Sequence, residues 1–421
     1  MDPGSIALVP AARRRQRTRV TDYPFRQDSD FYYLTGFDEP DGLLVLAPGR
    51  SHGETILFCN ERDALKEQWD GEIAGPERVI PSLGLDDAFP VADIPDILPG
   101  LLEGRERIYV TLGEHPQFDA QLMRWVQRIR AREAGGAVPP GEFIALKHLL
   151  HELRLFKSAA ELRVMQRAAD ITCDAHARAM RACRPGLSEA SLEAELTYEF
   201  MRNGARHPAY SSIVGSGTNA CVMHYMANRD TLKDGDMVLI DAGAEYEHYA
   251  ADVTRTFPIS GRFSATQQAL YEVVLEAQIA AIAAAVPSSH FNQPHAAALA
   301  VLVQGLIDLK VMKGSVSEII ESSAYLPYCP TKTSHWLGID VHDVGDYRVD
   351  DEWRALEAGM VLTIEPGIYI APDAPGVGAK WRGLGIRIED DVLIEAKGNR
   401  VLTAAAPKSP RDVQKMMRRK L

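Results

Sequence analysis

Residues 237–257, MVLIDAGAEYEHYAADVTRTF, decide how the rest of the chain is read. An apolar run ends in Asp241, a polar turn follows, and a second β-prone run carries Asp252. A hairpin turning between Tyr246 and Glu247 would set the two aspartates opposite each other, with Cβ atoms roughly 4.5–5.5 Å apart. Two ionised carboxylates that close repel, and one takes up a proton unless a cation neutralises the pair. Taken alone, the stretch fits a solvated turn with two unrelated acids equally well.

The surrounding chain sets the context. At 421 residues it exceeds one ordinary domain, and two is the natural expectation. Hydrophobic residues make up 46% and charged residues 25%, as in a globular protein with a large core. No apolar run approaches the roughly 20 residues needed to span a bilayer, so no membrane partner is expected. In the N-terminal MDPGSIALVPAARRRQRTR the basic cluster follows the apolar segment, the reverse of a secretory signal. The five cysteines are scattered and form no CxxC pair, which points to a reducing compartment, the cytoplasm. A net charge of −12 argues against a nucleic-acid partner.

From residue 5 to about 138, short β-prone runs (SIALV, GLLVLAP, ETILFC, RIYVTLG) alternate with helical spacing, most clearly at 116–132. This predicts an α/β domain without a GxGxxG or Walker-type loop. The glycine- and proline-rich GGAVPPGE at 135–142 is the boundary candidate. Beyond it, Ser158 and Glu161 form a capping-box signature ahead of a long amphipathic helix. Strands are then expected at SSIVGSG, CVMHYM, the opening hairpin, MVLTIEPGIYI and GIRIEDDVLI, with helices at 265–286 and 294–310. The second domain reads as α+β.

Three more residues join the aspartates. Glu365 ends a strand in which Val361, Thr363 and Glu365 share a face, and Pro366-Gly367 then breaks the pairing. Glu389 shares a strand face with Arg387 and Asp391, and His335 sits among apolar neighbours in SHWLG. Singly, each has an ordinary reading: a solvated stripe, a surface ion pair, a core histidine.

Together, IDAGAEYEHYAADVTRTF, SHWLGIDVHDVG, IEPGIYI and GIRIEDDVL, in that order, resemble the creatinase/aminopeptidase pita-bread metallohydrolases, and within them the aminopeptidase P group. HYMANRDTLKDGDMVLIDAG and FRQDSDFYYLTGF are similar to that group as well. The resemblance implies a smaller α/β N-terminal domain over residues 1–152 and a pita-bread catalytic domain over 153–421. It implies two divalent ions, manganese first, held by Asp241, Asp252, His335, Glu365 and Glu389, with Asp252 and Glu389 bridging. A set of carboxylates with one imidazole suits such ions better than a thiolate site would.

The implied activity is hydrolysis of the bond between an N-terminal residue and a following proline. Bridging hydroxide would attack, with Glu365 as proton shuttle. His224 and His342 match histidines that hydrogen-bond substrate and intermediate. Arg387 and Tyr369 match a pair that orients ligands and nucleophile. Trp69 and Arg154 resemble positions near the substrate pocket, and the group forms dimers or tetramers. One position departs: where relatives carry a histidine four residues before the histidine ligand, this chain has Thr331, followed by Lys332. That leaves open an Xaa-Pro dipeptidase, or a feeble metal-binding relative that recognises peptides.

Overall fold

The computed structural model describes residues 1–419. The chain folds as two compact units, Met1–His151 and Glu152–Leu421.

The first unit is a six-stranded mixed sheet. Its strands run in the order Asp87–Pro90, Thr55–Cys59, Leu43–Leu46, Ser5–Pro10, Arg107–Val110 and Glu142–Ala145. Alternate side chains serve two faces, as the period of a strand requires. Ile6, Leu8, Val45, Ile56 and Phe58 pack with Leu98, Leu122, Trp125 and Val126 of helices Ile94–Leu102 and Pro116–Arg130. Ala7, Val9, Leu44 and Leu57 pack on the other face with Phe31, Val79 and Leu150. The strand Glu142–Ala145 follows the glycine- and proline-rich run and still belongs to this sheet.

The second unit repeats one theme twice: paired helices packed on antiparallel strands. Helices Ala159–Ala182, opened by the Ser158/Glu161 capping box, and Glu189–Arg202 cover strands Ile213–Ser216, Met237–Asp241 and Thr254–Pro258. Helices Ala265–Ala284 and Gln293–Asp308 cover strands Val361–Ile364, Gly367–Ile370, Leu384–Arg387 and Asp390–Ile394. Among the described residues no helix is long and apolar enough to cross a membrane.

The opening hairpin forms with a shifted register. Asp241 stands opposite Thr254, not Asp252. Adjacent residues cannot be cross-strand partners, because the shortest common hairpin loop has two residues. Glu247 and His248, at φ 45° and 66°, are that loop, and Tyr246 pairs with Tyr249. Asp252 therefore falls in a gap between strands Tyr249–Ala250 and Thr254–Pro258. Gly243 permits the gap to close up: a Cβ there would lie 1.6 Å from the Ala251 carbonyl oxygen.

The two glutamate-bearing runs are likewise broken rather than continuous strands. Ile364 pairs with Asp390 and Gly367 with Arg387, so one register spans the break and puts Glu365 opposite Glu389 within it. CVMHYM is not a strand; a short 3-10 turn, Gly217–Cys221, leads into an irregular loop.

Candidate metal centre

Each acid owes its place to an interrupted ladder. In the second break the backbone N–H of Glu365 donates to the Thr333 carbonyl at 2.8 Å, and that of Glu389 to the Thr254 carbonyl at 3.1 Å. In the first, the Asp252 N–H donates to the Asp391 carboxylate at 3.2 Å. Backbone groups freed from regular pairing are thus satisfied by neighbouring segments, and the side chains converge. Asp252, His335 and Glu389 bring ligand atoms within 4.8 Å of one another. His335 Nε2 lies 3.4 Å from both Asp252 and Glu365, and its Nδ1 faces the Trp336 carbonyl at 2.9 Å. That carbonyl fixes Nδ1 as the N–H and leaves Nε2 free to ligate.

Tyr210 ties Asp241 to Asp252, its hydroxyl 2.5 Å from one oxygen of each. Arg387 bonds Asp241 on one side, Tyr369 at 2.7 Å and Thr254 at 2.9 Å on the others. Thr254 in turn donates to Glu389 at 2.6 Å.

The electrostatics are those of a site short of positive charge. Burial, then the charges of Asp252, Glu365 and Asp241, push Glu389 well above the carboxylate range. Burial raises Glu365 to about 7 against the pull of His335 and Arg387. Asp241 is raised by burial and held back by Arg387. Burial would lower His335, but its bonds to Asp252 and the charge of Glu365 lift it to about 9. Four clustered carboxylates share one guanidinium and one imidazole. The oxygen-rich donor set and this charge deficit fit divalent cations.

At the rim, the His342 ring lies 4.2 Å from that of His335. Burial and the neighbouring His335 lower its pKa, and His224 is close enough to add to the effect. Tyr369 is buried behind Arg387. Thr331 is half-buried and Lys332 exposed. Arg154 is 3% exposed, and its guanidinium donates to Asp340 and Asp343, so it holds the loop that carries His342. Gly338 belongs to this packing, since a Cβ there would meet Asp343 at 2.0 Å. Trp69 lies in the first unit on helix Ala64–Asp70, 87% exposed.

Residues 163–396 match metallopeptidase family M24, and residues 1–109 match the N-terminal domain of aminopeptidase P. The chain belongs to metallopeptidase family M24. It is 43% identical over 418 residues to the Xaa-Pro aminopeptidase of Escherichia coli K12, covering 99% of this chain and 94% of that one. The solved aminopeptidase PepP of Pseudomonas aeruginosa superposes with a TM-score of 0.98 at 54% identity, covering 99% of this chain and 95% of that one. A zinc-substituted E. coli aminopeptidase P in complex with product superposes at 0.96 with 43% identity, covering 99% and 94%.

Several residues of this M24 centre escaped the sequence reading. Tyr210 and Thr254 are ordinary residue types whose partners lie 31 to 135 positions away. Arg255 is fully buried and donates to the Glu389 carbonyl at 2.5 Å and to Asp390 at 2.7 Å. Burial would raise Asp390, but Arg255 and Lys408 override it and hold the carboxyl at about 2. The alternation Arg387, Glu389, Asp391 hid Asp390, which faces the opposite way.

Proposed function

We propose that this protein is a metal-dependent Xaa-Pro aminopeptidase that releases the N-terminal residue ahead of a proline. The observation that carries the reading is the convergence of Asp241, Asp252, His335, Glu365 and Glu389 at the two ladder breaks, in a chain alike along its whole length to enzymes of that name. These five residues would hold two divalent ions, manganese by the oxygen-rich donor set. When bound, such ions lower the pKa of a water and polarise the carbonyl that precedes proline.

The chain's own residues supply the rest. Glu365, half-buried and raised to about 7, takes a proton from the attacking water and delivers it to the imino nitrogen of the leaving proline. His342, kept neutral by burial and by His335, and His224 hydrogen-bond the substrate and the tetrahedral oxygen. Arg387 locks Asp241 and Tyr369 in place. The cytoplasm and a homo-oligomer, dimer or tetramer, complete the reading; all five cysteines are free, as a reducing compartment requires.

The deciding assay is release of the N-terminal residue from Xaa-Pro-Pro and from Xaa-Pro, first metal-free and then with Mn²⁺, beside Glu365→Ala. Manganese-dependent cleavage of the tripeptide, lost in the variant, is expected. Cleavage of the dipeptide alone would move the assignment to a dipeptidase. No cleavage with two ions bound would make Thr331 a lesion and the protein a peptide binder.

A further inference from the structure

His224 stands on a loop with no regular structure of its own across 222–229. Met223 and Tyr225 turn inward onto a small cluster with Ile213, Leu239 and Tyr369, while Val222, His224 and Met226 are exposed. A histidine so placed needs its loop held, since a shift of about 1 Å at a catalytic group can cost about a hundredfold in rate.

One side chain grips the whole loop. Glu189, the first residue of helix Glu189–Arg202, is completely buried and meets no cation among the hydrogen bonds and ion pairs of the described residues. Its Oε1 accepts from the Ser216 N–H at 2.7 Å, the Ser216 hydroxyl at 2.7 Å and the Asn219 amide at 3.1 Å. Its Oε2 accepts from the Tyr225 hydroxyl and the Asp230 N–H, both at 2.9 Å. These donors come from before, within and after the loop. A buried carboxylate is tolerated only when saturated in this way, and the helix N-terminus behind it adds partial positive charge. All five donors share one carboxylate, so the loop cannot shift at one point without straining a charge-assisted bond at another.

We propose that Glu189 is a positioning residue that acts through Tyr225 to set His224 at the metal centre. The proposal rests on the role given to His224 above. Glu189→Gln keeps the shape but turns an amide against groups that are already donors.

The test joins kinetics with hydrogen exchange. Glu189→Gln should lower kcat/KM on an Xaa-Pro-Pro peptide by about ten- to a hundredfold. In a His224→Ala background it should cost little more, because both changes remove one function. Affinity for Mn²⁺ should stay unchanged, and faster amide exchange should be confined to 217–230. Additive losses, weakened metal binding, or unchanged exchange in the loop would each overturn the proposal. If the wild-type protein cleaves no peptide, the proposed function fails, and the exchange pattern alone decides whether Glu189 orders the loop. If Glu189→Gln does not fold, Tyr225→Phe removes one of the donors and should show a smaller effect with the same non-additivity.

Discussion

The two ladder breaks of the second unit do the same job with different support. At the first, Asp241 is paired with Arg387, bridged to Asp252 by Tyr210, and followed by Ala242, whose carbonyl faces buried His176 at 3.0 Å. At the second, Glu365 and Glu389 face each other with hydroxyl donors, Thr363 and Thr254, and with His335 beside Glu365. The first pair has a bonded guanidinium and a bridging hydroxyl against its mutual repulsion, whereas the second has hydroxyls and an imidazole that it shares with Asp252. A folded chain keeps buried acids in that state only at a cost to stability, and a cation removes the cost. The first break therefore reads as scaffold and the second as the part that most needs metal.

Glu389→Gln should give the largest effect. It removes a ligand from the cluster with Asp252 and His335, and the loss of Lewis-acid help should lower Mn²⁺-dependent cleavage by about a thousandfold or more. Metal content and turnover measured together check this; full metal with activity within tenfold of wild type would break the comparison. The same substitution should stabilise the metal-free protein, on the order of 1 kcal/mol, because a carboxyl held far above its usual pKa by burial and three neighbouring acids is gone.

Asp241→Asn should do the reverse in the metal-free protein. Arg387, 4% exposed, would lose its carboxylate partner, and breaking a buried pair costs about 3 kcal/mol. Urea unfolding of the two metal-free variants sets the signs side by side. Shifts of the same sign would mean that the two breaks do not differ in the way argued.

The histidine behind the first break adds a pH signature. His176 faces the Ala242 carbonyl through Nε2, which must carry the proton. Burial lowers its pKa from 6.5 to about 4. Between those values the unfolded chain binds the extra proton and the folded one does not. Stability contributed by neutral His176 is therefore complete above about pH 6.5 and is lost as pH falls toward 4. From pH 7 to 5 the loss should be about 2 kcal/mol. His176→Gln should remove this slope, so the stability gap between wild type and variant should shrink as pH falls. Parallel curves would contradict it.

How much of this could be read from the sequence follows from the range of the forces involved. The acids and His335 were legible because they sit in short distinctive runs, and the order of those runs along the chain carries the family resemblance. The register between Asp241 and Asp252 was not, because pairing by arithmetic alone overlooked the two residues that a hairpin loop must contain. The break after Glu365 was legible from Pro366-Gly367, but the matching break at Glu389 was not, because nothing in GIRIEDDVLI marks it. Tyr210, Thr254, Arg255 and Glu189 left no signal, since each earns its role through partners brought close only by the packed helices and strands. Nothing in the sequence signals that Arg154 pairs with Asp340 and Asp343, which lie 186 and 189 positions away.

Tyr210→Phe tests the bridge at the first break more gently. Arg387 still holds Asp241, so the fold should survive, while the loss of the hydroxyl that spans both aspartates should weaken Mn²⁺ binding by roughly ten- to a hundredfold. Titration calorimetry on the metal-free protein reads this directly. Unchanged affinity would mean that Arg387 alone orients the pair.

The smallest change expected is a gain. Thr331 stands on the segment whose Thr333 carbonyl holds the Glu365 backbone, and Thr333 itself faces His295 at 2.8 Å. The segment is thus anchored on both sides independently of residue 331, so Thr331→His should be accepted without disturbing the second break. If a histidine there donates a hydrogen bond to the tetrahedral oxygen, kcat should rise by up to about tenfold with metal content unchanged, a fraction of what a full oxyanion donor contributes. A fall in kcat, or no change, would show that threonine fits this centre as built, and that His342 and His224 already supply the donors the tetrahedral oxygen needs.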